Sequence, residues 1–500
     1  MIKNNFIKYF LVFLCSLFFA TSAWSQKVLI SPTAIDESGF GFAKVIGQNE
    51  DGYFVLLSNL TMNTENDRVG FKNRKYKLAW FNTSLEKKWS KPIDPPSSDA
   101  TIDAVTFFNS RVLIITSTYL KQEKKVKYTI KTIDQDGNLS SNSNVAIEFP
   151  EVTSDYEKCK IIFSITRQQF AIVMREFTDD TSQTIYAAVI DTALNIITQK
   201  SVTIPFSEKK FGIDAYALSV SGDLAVLGYH AEKIKALSSK RKIEFYVYAA
   251  GILQPNFKEY LLPSNKIIGT LGIAFDNFNN QLVLAGFYYD KEVHASAGIF
   301  YATLDIIKND EIKINTRVIE GQNGSSLSRE RNLSSGSGIM DYPIDRIVVR
   351  NDGGALIVAE SAYTTEYSYY DSFTQSFTQR LEFHFENVVI ISVNKDASVD
   401  WSAVVEKDQV SLDDDGVFSS FCSILNSEQL LIVYNDDISK RNKIIPASIN
   451  NKGELAKGKP IAATEGFILL PRSGKQVSEN QLLIPGFRKK DLHLVLYSFE

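Results

Sequence analysis

The chain has 500 residues, of which 44% are hydrophobic and 22% charged, and its formal net charge is −4 at pH 7. This composition is that of a folded globular protein, and the mild acidity excludes the basic face that nucleic-acid binding requires. Three cysteines in the whole sequence exclude a fold that depends on disulfide bonds.

The first 25 residues have the three parts of a secretory signal peptide. Lys3 and Lys8 make the start positive, residues 10–20 are apolar, and residues 23–25 form a small-residue cleavage site. The apolar part is shorter than the roughly 20 residues that a membrane-spanning helix needs. The sequence therefore predicts export, with a mature chain of residues 26–500 in the periplasm or at the cell surface of a Gram-negative cell.

Short β-type runs recur along the rest of the chain, and they form a repeat. Each unit ends in a strand, a polar turn and a second strand, and two further apolar runs come before this hairpin. Turn pairs such as Asp51-Gly52 and Gly353-Gly354 supply the positive φ angles that tight hairpins need. The hairpins of the eight units begin at Tyr76, Tyr128, Ile185, Glu244, Gly298, Val388, Lys443 and Leu492.

Four antiparallel strands repeated at roughly 50 to 60 residues resemble the blade of a β-propeller. The resemblance implies an all-β fold, a single domain of residues 26–500 that forms an eight-bladed propeller of four-stranded antiparallel blades. The last unit lacks an outer strand, so residues 27–35 are expected to supply it and to close the ring. The resemblance is to the architecture alone, because the repeat signatures of WD40 and kelch proteins do not occur in this sequence.

An outer-membrane barrel is the alternative fold, since it also alternates strands and turns. Its strands are apolar on one face and polar on the other. Residues 170–174 (FAIVM) and 430–433 (LLIV) are instead apolar on both faces. This pattern favours strands buried between neighbouring blades.

The spacing of the units is regular except between Gly298 and Val388, where two insertions occur at about 321–341 and 363–385. In an up-and-down blade the connections that carry these insertions emerge on the same face of the ring. The segments 408–416 and 434–442 belong to that face as well. Since loops on a rigid scaffold often carry function, the sequence predicts a binding site on the rim of units 5 to 7.

The second insertion is rich in aromatic residues that alternate along two arms, which predicts a β-ribbon that projects from unit 6. Tyrosine and other aromatic side chains are enriched at binding interfaces. A ribbon that folds back and covers its own neighbours is the alternative. The candidate binding residues are Tyr363, Tyr367, Tyr369, Tyr370, Phe373, Arg329, Arg331, Asp341 and Asp345.

No sequence motif predicts a metal, a cofactor or a catalytic group. The carboxylates at 413–415 and the turn at 134–138 offer oxygen atoms that calcium could use, but neither has the spacing of an EF-hand. Solvated loop and turn chemistry explains both. The expectation is therefore that no metal and no cofactor is bound.

Two functions remain open at this point. The first is a non-enzymatic binding or scaffold propeller that engages an envelope protein or a glycan through the rim of units 5 to 7. The alternative is a glycan hydrolase or lyase whose site lies at the mouth of the central channel, where carboxylates would have to converge. The ligand, the oligomeric state and the pairing of Cys159 with Cys422 have no signal in the sequence.

Overall fold

The computed structural model describes residues 26–59, 75–140, 145–153, 155–177, 181–232, 242–248, 266–290, 298–305, 313–318, 342–371, 375–438 and 442–499. These residues form β-strands and two 3₁₀ turns, Ala462–Thr464 and Pro471–Ser473. None of the helical turns in this part of the chain is long and apolar enough to cross a membrane.

The strands pair mainly with their neighbours along the chain, and this produces separate antiparallel sheets. The first strand, β1 (Gln26–Ile30), is an exception because it belongs to the last sheet. Sheet 1 contains β2 (Phe42–Asn49), β3 (Gly52–Ser58), β4 (Tyr76–Asn82) and β5 (Lys87–Ile93). Sheet 2 contains β6 (Ala100–Phe108), β7 (Arg111–Leu120), β8 (Lys125–Ile133) and β9 (Val145–Phe149). Sheet 3 contains β10 (Lys160–Phe163), β11 (Gln169–Glu176), β12 (Gln183–Asp191) and β13 (Ile196–Ile204). Sheet 4 contains β14 (Phe211–Leu218), β15 (Leu224–Glu232) and β16 (Lys242–Tyr248).

The second half of the chain continues the same arrangement. Sheet 5 contains β17 (Lys266–Asp276), β18 (Gln281–Asp290), β19 (Gly298–Asp305) and β20 (Lys313–Val318). Sheet 6 contains β21 (Ile344–Val349), β22 (Ala355–Asp371), β23 (Ser376–Val393), β24 (Val399–Val405) and the added strand β25 (Gln409–Leu412). Sheet 7 contains β26 (Phe421–Leu425), β27 (Gln429–Asn435), β28 (Ile444–Asn450) and β29 (Leu455–Lys457). Sheet 8 contains β30 (Phe467–Leu469), β31 (Lys475–Ser478), β32 (Gln481–Arg488) and β33 (Asp491–Phe499), together with β1.

The predicted count of eight four-stranded blades is wrong for the described residues. Seven sheets contain at least four strands, whereas sheet 4 contains three. The reason is local, since the chain after β16 that was expected to provide the fourth strand, residues 249–265, lies outside the described residues. The four-stranded antiparallel blade itself is confirmed.

The N-terminal strand closes the ring as predicted. β1 pairs antiparallel with β33, with Gln26 opposite Phe499 and Ile30 opposite Val495. The pairing covers the outer edge of sheet 8, where unpaired N–H and C=O groups would otherwise invite association with another chain.

The core consists of apolar layers between neighbouring sheets, and β11 shows why the sequence folds this way. All five residues from Phe170 to Met174 are buried. Phe170 and Met174 face the layer shared with sheet 2, whereas Ala171 and Val173 face the layer shared with sheet 4. Successive strand residues point to opposite faces, so a run that is apolar at every position suits a strand buried on both sides. A further layer joins sheet 8 to sheet 1, and the ring is therefore continuous.

The two cysteines of the described chain are free and buried, and they belong to different layers. Cys159 packs between sheets 2 and 3, and Cys422 packs between sheets 7 and 8. Burial raises the pKa of both thiols, so they remain protonated and inert near neutral pH.

Candidate functional site

The two central strands of sheet 6 extend far beyond the sheet. β22 has 17 residues and β23 has 18, and they stay paired from Ala362 opposite Phe385 to Asp371 opposite Ser376. A register shift between Glu360 and Ala362 marks the point where the pair leaves the sheet. Residues 362–371 and 375–385 are called the ribbon from here on. Its position, between the second and third strands of the sixth unit, confirms the prediction.

A third strand supports the base of the ribbon. β25 pairs antiparallel with β23, with Gln409 opposite Phe385 and Leu412 opposite Glu382. The side-chain amide of Gln409 also donates to the backbone oxygen of Asn435, at 2.6 Å. Three of the four segments that were expected to share one rim therefore meet here. The fourth, 321–341, lies outside the described residues.

One face of the ribbon is held by polar contacts. The Tyr363 ring stacks on His384 with centroids 4.4 Å apart, and its hydroxyl donates to Glu386 at 2.7 Å. Nearer the tip, Arg380 forms an ion pair with Asp413 at 2.5 Å and a hydrogen bond with Tyr369, and both contacts raise the pKa of the guanidinium. The side chains on this face are thus ordered by their neighbours.

The opposite face runs from half-buried at the base to exposed at the tip. The Phe385 ring packs against Gly416, where an added Cβ would lie 2.3 Å from the ring, and Arg472 lies over it at 5.3 Å. At the tip, the Tyr370 and Phe377 rings meet edge to face with centroids 5.4 Å apart. Phe377 is 75% exposed.

Large apolar side chains are exposed on both faces of the ribbon and β25. Of the fourteen large apolar side chains that are exposed among the described residues, six lie on these two elements. Such a concentration on a small part of the surface is typical of an interaction site. The six residues, called the ribbon patch below, are Tyr369, Val410 and Leu412 on the face of Tyr363, and Tyr370, Phe377 and Leu381 on the face of Phe385.

A buried ion pair fixes the base of the ribbon to the sheet. The Lys407 ammonium, whose side chain is 0% exposed, lies 2.7 Å from a carboxylate oxygen of Glu360. It also donates to the backbone oxygen of Phe385 at 3.0 Å and to the side chain of Gln409 at 2.9 Å. Burial lowers the pKa of Lys407, and the charge of Glu360 opposes this shift. The three contacts satisfy the ammonium and attach β23 and β25 to the start of the ribbon.

Two of the carboxylates at 413–415, Asp413 and Asp414, also stabilise the ribbon and the turn beside it. Asp413 accepts hydrogen bonds from the Leu381 amide, at 2.9 Å, and from Arg380, and these two contacts lower its pKa. Asp414 accepts from the Ser411 hydroxyl at 2.5 Å and from the Gly416 amide at 2.9 Å. Asp413 therefore attaches the turn after β25 to the ribbon, and Asp414 closes that turn.

The predicted binding residues divide into three groups. Tyr363, Tyr369 and Tyr370 lie on the ribbon, and Tyr367 occupies its backbone position opposite Arg380. Asp345 lies on the inner strand β21, where it pairs with Arg346 at 2.7 Å. The predicted residues that lie outside the described part of the chain are Arg329, Arg331, Asp341 and Phe373.

Sequence reasoning missed the groups that anchor the ribbon. Lys407, Gln409 and Asn435 come from two separate segments, and nothing near them in sequence distinguishes them from ordinary loop residues. Asn435 donates to the Phe418 backbone oxygen at 2.7 Å, and Asn442 donates to Asn435 at 2.9 Å. For Asn435 the one available signal was its place as the polar end of an otherwise apolar strand, β27.

A cavity of about 790 Å³ lies beside the base of the ribbon, between the inner strands of several sheets. Two carboxylates line it, and each is in an ion pair, Asp345 with Arg346 and Glu360 with Lys407. Its lining also includes Gln48 and Phe107 from sheets 1 and 2, Arg167 from sheet 3, Phe385 from the ribbon, Phe421 and Cys422 from sheet 7, and Arg472 and Lys475 from sheet 8.

Strand pairing and the continuous ring define this protein as a β-propeller with antiparallel blades. No protein-family model matches the chain, and no curated protein sequence matches it.

Solved structures that are similar to this chain include the propeller domain of a protease, a peptidase and an oxygenase. The β-propeller domain of the Trilobed protease from Pyrococcus furiosus shares 9% identity over 84% of this chain and 96% of that chain, with a TM-score of 0.32. The Pyrococcus horikoshii acylaminoacyl peptidase shares 10% identity over 91% of this chain and 59% of that chain, with a TM-score of 0.33. A Synechocystis apocarotenoid oxygenase variant shares 8% identity over 93% of this chain and 87% of that chain, with a TM-score of 0.36. These similarities carry no inference about the activity of this protein.

Proposed function

We propose that this protein is an exported, non-enzymatic binding propeller that engages another protein of the cell envelope through the ribbon of sheet 6. The observation that carries the proposal is the ribbon patch, in which six exposed apolar side chains lie on the ribbon and on the strand β25 that supports it. Aromatic side chains in such patches supply much of the energy of protein interfaces.

The outer backbone edge of the ribbon favours a protein partner over a glycan. β21 pairs with residues 355–359 of β22 and goes no further. Beyond that point, no strand among the described residues pairs with the outer edge of β22. An extended segment of a partner can add to such an edge through backbone hydrogen bonds, while its side chains contact the neighbouring aromatic groups.

The cavity supports a binding role over hydrolysis. A glycosidase needs two carboxyl groups that are available to the substrate as acid and base or nucleophile. Asp345 and Glu360 are instead engaged by Arg346 and Lys407. The Glu360–Lys407 pair also holds the base of the ribbon in place.

A pull-down from envelope extract tests the proposal with matched variants. Phe377→Ser alters the ribbon patch, and Phe278→Ser is the control, because both phenylalanines are 75% exposed and Phe278 lies on a turn of sheet 5. We expect the wild type and the Phe278→Ser protein to capture the same partner and the Phe377→Ser protein to lose it. Identical capture by all three proteins would contradict the proposal.

The same experiment separates a protein from a glycan partner. Protease treatment of the extract should abolish capture, whereas periodate oxidation of its sugars should leave capture unchanged. The reverse result would assign the ribbon to a glycan.

Export is tested separately. Fractionation of the native cell, followed by mass spectrometry of the N-terminus, should find a chain that begins at Gln26 in the periplasmic or surface fraction. A chain that keeps residues 1–25 in the cytoplasm would contradict this part of the proposal.

A further inference from the structure

The cavity beside the ribbon has a volume suited to a small ligand. Its size, about 790 Å³, falls within the range of roughly 300 to 1,000 Å³ that is usual for ligand sites. Phe107 of sheet 2 and Phe421 of sheet 7 contribute apolar surface to it, and Gln48 and Gln476 contribute amide groups. This combination of apolar lining with a few polar groups is that of a binding pocket.

Charge is unevenly distributed around this cavity. The two carboxylates, Asp345 and Glu360, belong to sheet 6 and are paired with cations. Arg167 and Lys475 lie on other elements, the turn between β10 and β11 and the start of β31. Neither of these two cations takes part in an ion pair within the part of the chain that the structure describes.

Among the described residues, Lys475 is held by a hydrogen bond and Arg167 by a cation–π contact. The Lys475 ammonium donates to the backbone oxygen of Ile46 in sheet 1, so the side chain bridges from sheet 8 to sheet 1. The Arg167 guanidinium lies over the Phe163 ring, 4.7 Å from its centroid. An ammonium has three donors and a guanidinium has five, so most of their hydrogen-bonding capacity is left for a ligand.

The electrostatic environment of Lys475 favours an anion. Burial, together with the positive charges of Arg167 and Lys44, lowers the pKa of Lys475 to about 8. Partial desolvation also lowers the pKa of Arg167, although this residue is exposed at the edge of the cavity. An anionic group placed against these side chains would remove the repulsion between them and would replace the water that burial has taken away.

We propose that this cavity binds a small anionic ligand, with a phosphate or carboxylate group held by Lys475 and Arg167 and the body of the ligand against Phe107 and Phe421. The site is separate from the ribbon patch. It therefore stands independently of the partner protein proposed above.

Calorimetric titration tests the site with two probes, inorganic phosphate and succinate, each measured against sodium chloride at equal ionic strength. We expect binding of at least one probe to the wild type, and the stronger probe identifies the anionic group. Lys475→Met and Arg167→Met should each weaken binding by about tenfold or more, the loss usual for one charge-assisted hydrogen bond. Lys490→Met, which removes an equal charge from an exposed turn, should bind as the wild type does. Equal affinity in all four proteins, or no binding beyond that of chloride, would overturn the proposal.

Chemical labelling of the wild type gives a second readout that requires no variant. A lysine with a pKa of about 8 reacts with acetic anhydride faster at neutral pH than an ordinary lysine does. Peptide mass spectrometry should show that the bound probe slows acetylation of Lys475 several-fold and leaves that of Lys490 unchanged. An unchanged rate at Lys475 in the presence of the probe would count against the site even if heat is released on titration.

Discussion

Two charged residues of the ring, Lys407 and Asp103, differ in whether neighbouring groups compensate their charge. Lys407 has three partners, one of which is Glu360, although its side chain is fully buried. Asp103, on the inner strand of sheet 2, has a hydrogen bond from Ser117, but its second carboxylate oxygen has no hydrogen-bond partner among the described residues. Burial raises the pKa of Asp103 to about 6, and the Ser117 hydrogen bond and the charge of Lys158 only partly oppose this. Removing the charge of Asp103 should therefore stabilise the protein, whereas removing the charge of Lys407 should destabilise it.

Replacing Asp103 with Asn should stabilise the protein at pH 7 by about 1 to 2 kcal/mol. The folded-state pKa, about 6, lies above the unfolded value, so between pH 4 and pH 6 the folded state binds more protons. Wild-type stability should therefore fall as the pH rises through this window, and the Asp103→Asn protein should lack this part of the slope. Urea unfolding at pH 4.5, 5.5 and 7 measures it. The same pH slope in both proteins would show that Asp103 is not the cause.

Replacing Lys407 with Met should destabilise the protein by about 3 to 5 kcal/mol, because Glu360 would be left buried without its partner. Glu360→Gln in the same chain should recover part of this loss, since it removes the uncompensated charge. Urea unfolding of the two variants measures the difference. A double variant as unstable as Lys407→Met alone would show that the cost comes from packing.

At the scale of elements, β22 and β23 change character along their length. In the sheet, residues 388–391 are buried at every position. In the ribbon, faces alternate, so that Tyr363 meets His384 on one side while Phe385 packs against Gly416 on the other. The sheet half is stabilised by burial between blades, whereas the tip of the ribbon is stabilised mainly by its own pairing and by Asp413.

Shortening the ribbon should leave the fold intact. Replacing residues 366–381 with Asn-Gly would connect Thr365 to Glu382 through a two-residue turn, and it would keep the pairing of β23 with β25. We expect a loss of less than about 1 kcal/mol, because most of the removed side chains are exposed. Thermal unfolding followed by circular dichroism measures this. A variant that fails to fold would show that the ribbon packs as core, which is the alternative that the sequence left open.

At the scale of the whole molecule, the ring depends on one strand from the start of the chain. β1 is the outer strand of sheet 8, and Val28 and Ile30 pack against the layer between sheets 7 and 8. Ser31 continues the contact by donating its amide to the Leu494 backbone oxygen at 2.9 Å. The closing strand therefore contributes both hydrogen bonds and apolar burial.

A chain that begins at Ser31 should be less stable and more prone to associate than one that begins at Gln26. The deletion exposes the edge of β33, from Val495 to Phe499, together with the apolar groups that β1 covers. Light scattering and thermal unfolding of the two proteins should show a lower Tm and larger particles for the shorter chain. Equal Tm values and monodisperse samples for both would mean that the ring does not need this strand.

Much of the architecture was predictable because it depends on local pattern. Runs such as residues 170–174 are apolar at every position, and this identifies a strand that is buried on both faces. The missing outer strand of the last unit likewise predicted the role of β1. The number of four-stranded blades was predicted wrongly, since three strands of sheet 4 are described and the chain that follows them is not.

The sequence by itself determined the repeating antiparallel unit and the position of the aromatic ribbon, because both depend on residues that are neighbours along the chain. It also determined the closing strand, because the last unit lacks an outer strand and one N-terminal run is left over. Only the tertiary structure decided that Lys407 meets Glu360 and that Arg167 and Lys475 line one cavity. Closure of the ring brings together sheets 3 and 8, whose residues lie more than half the chain apart. Side chains that meet only through this closure leave no periodic signal in the sequence.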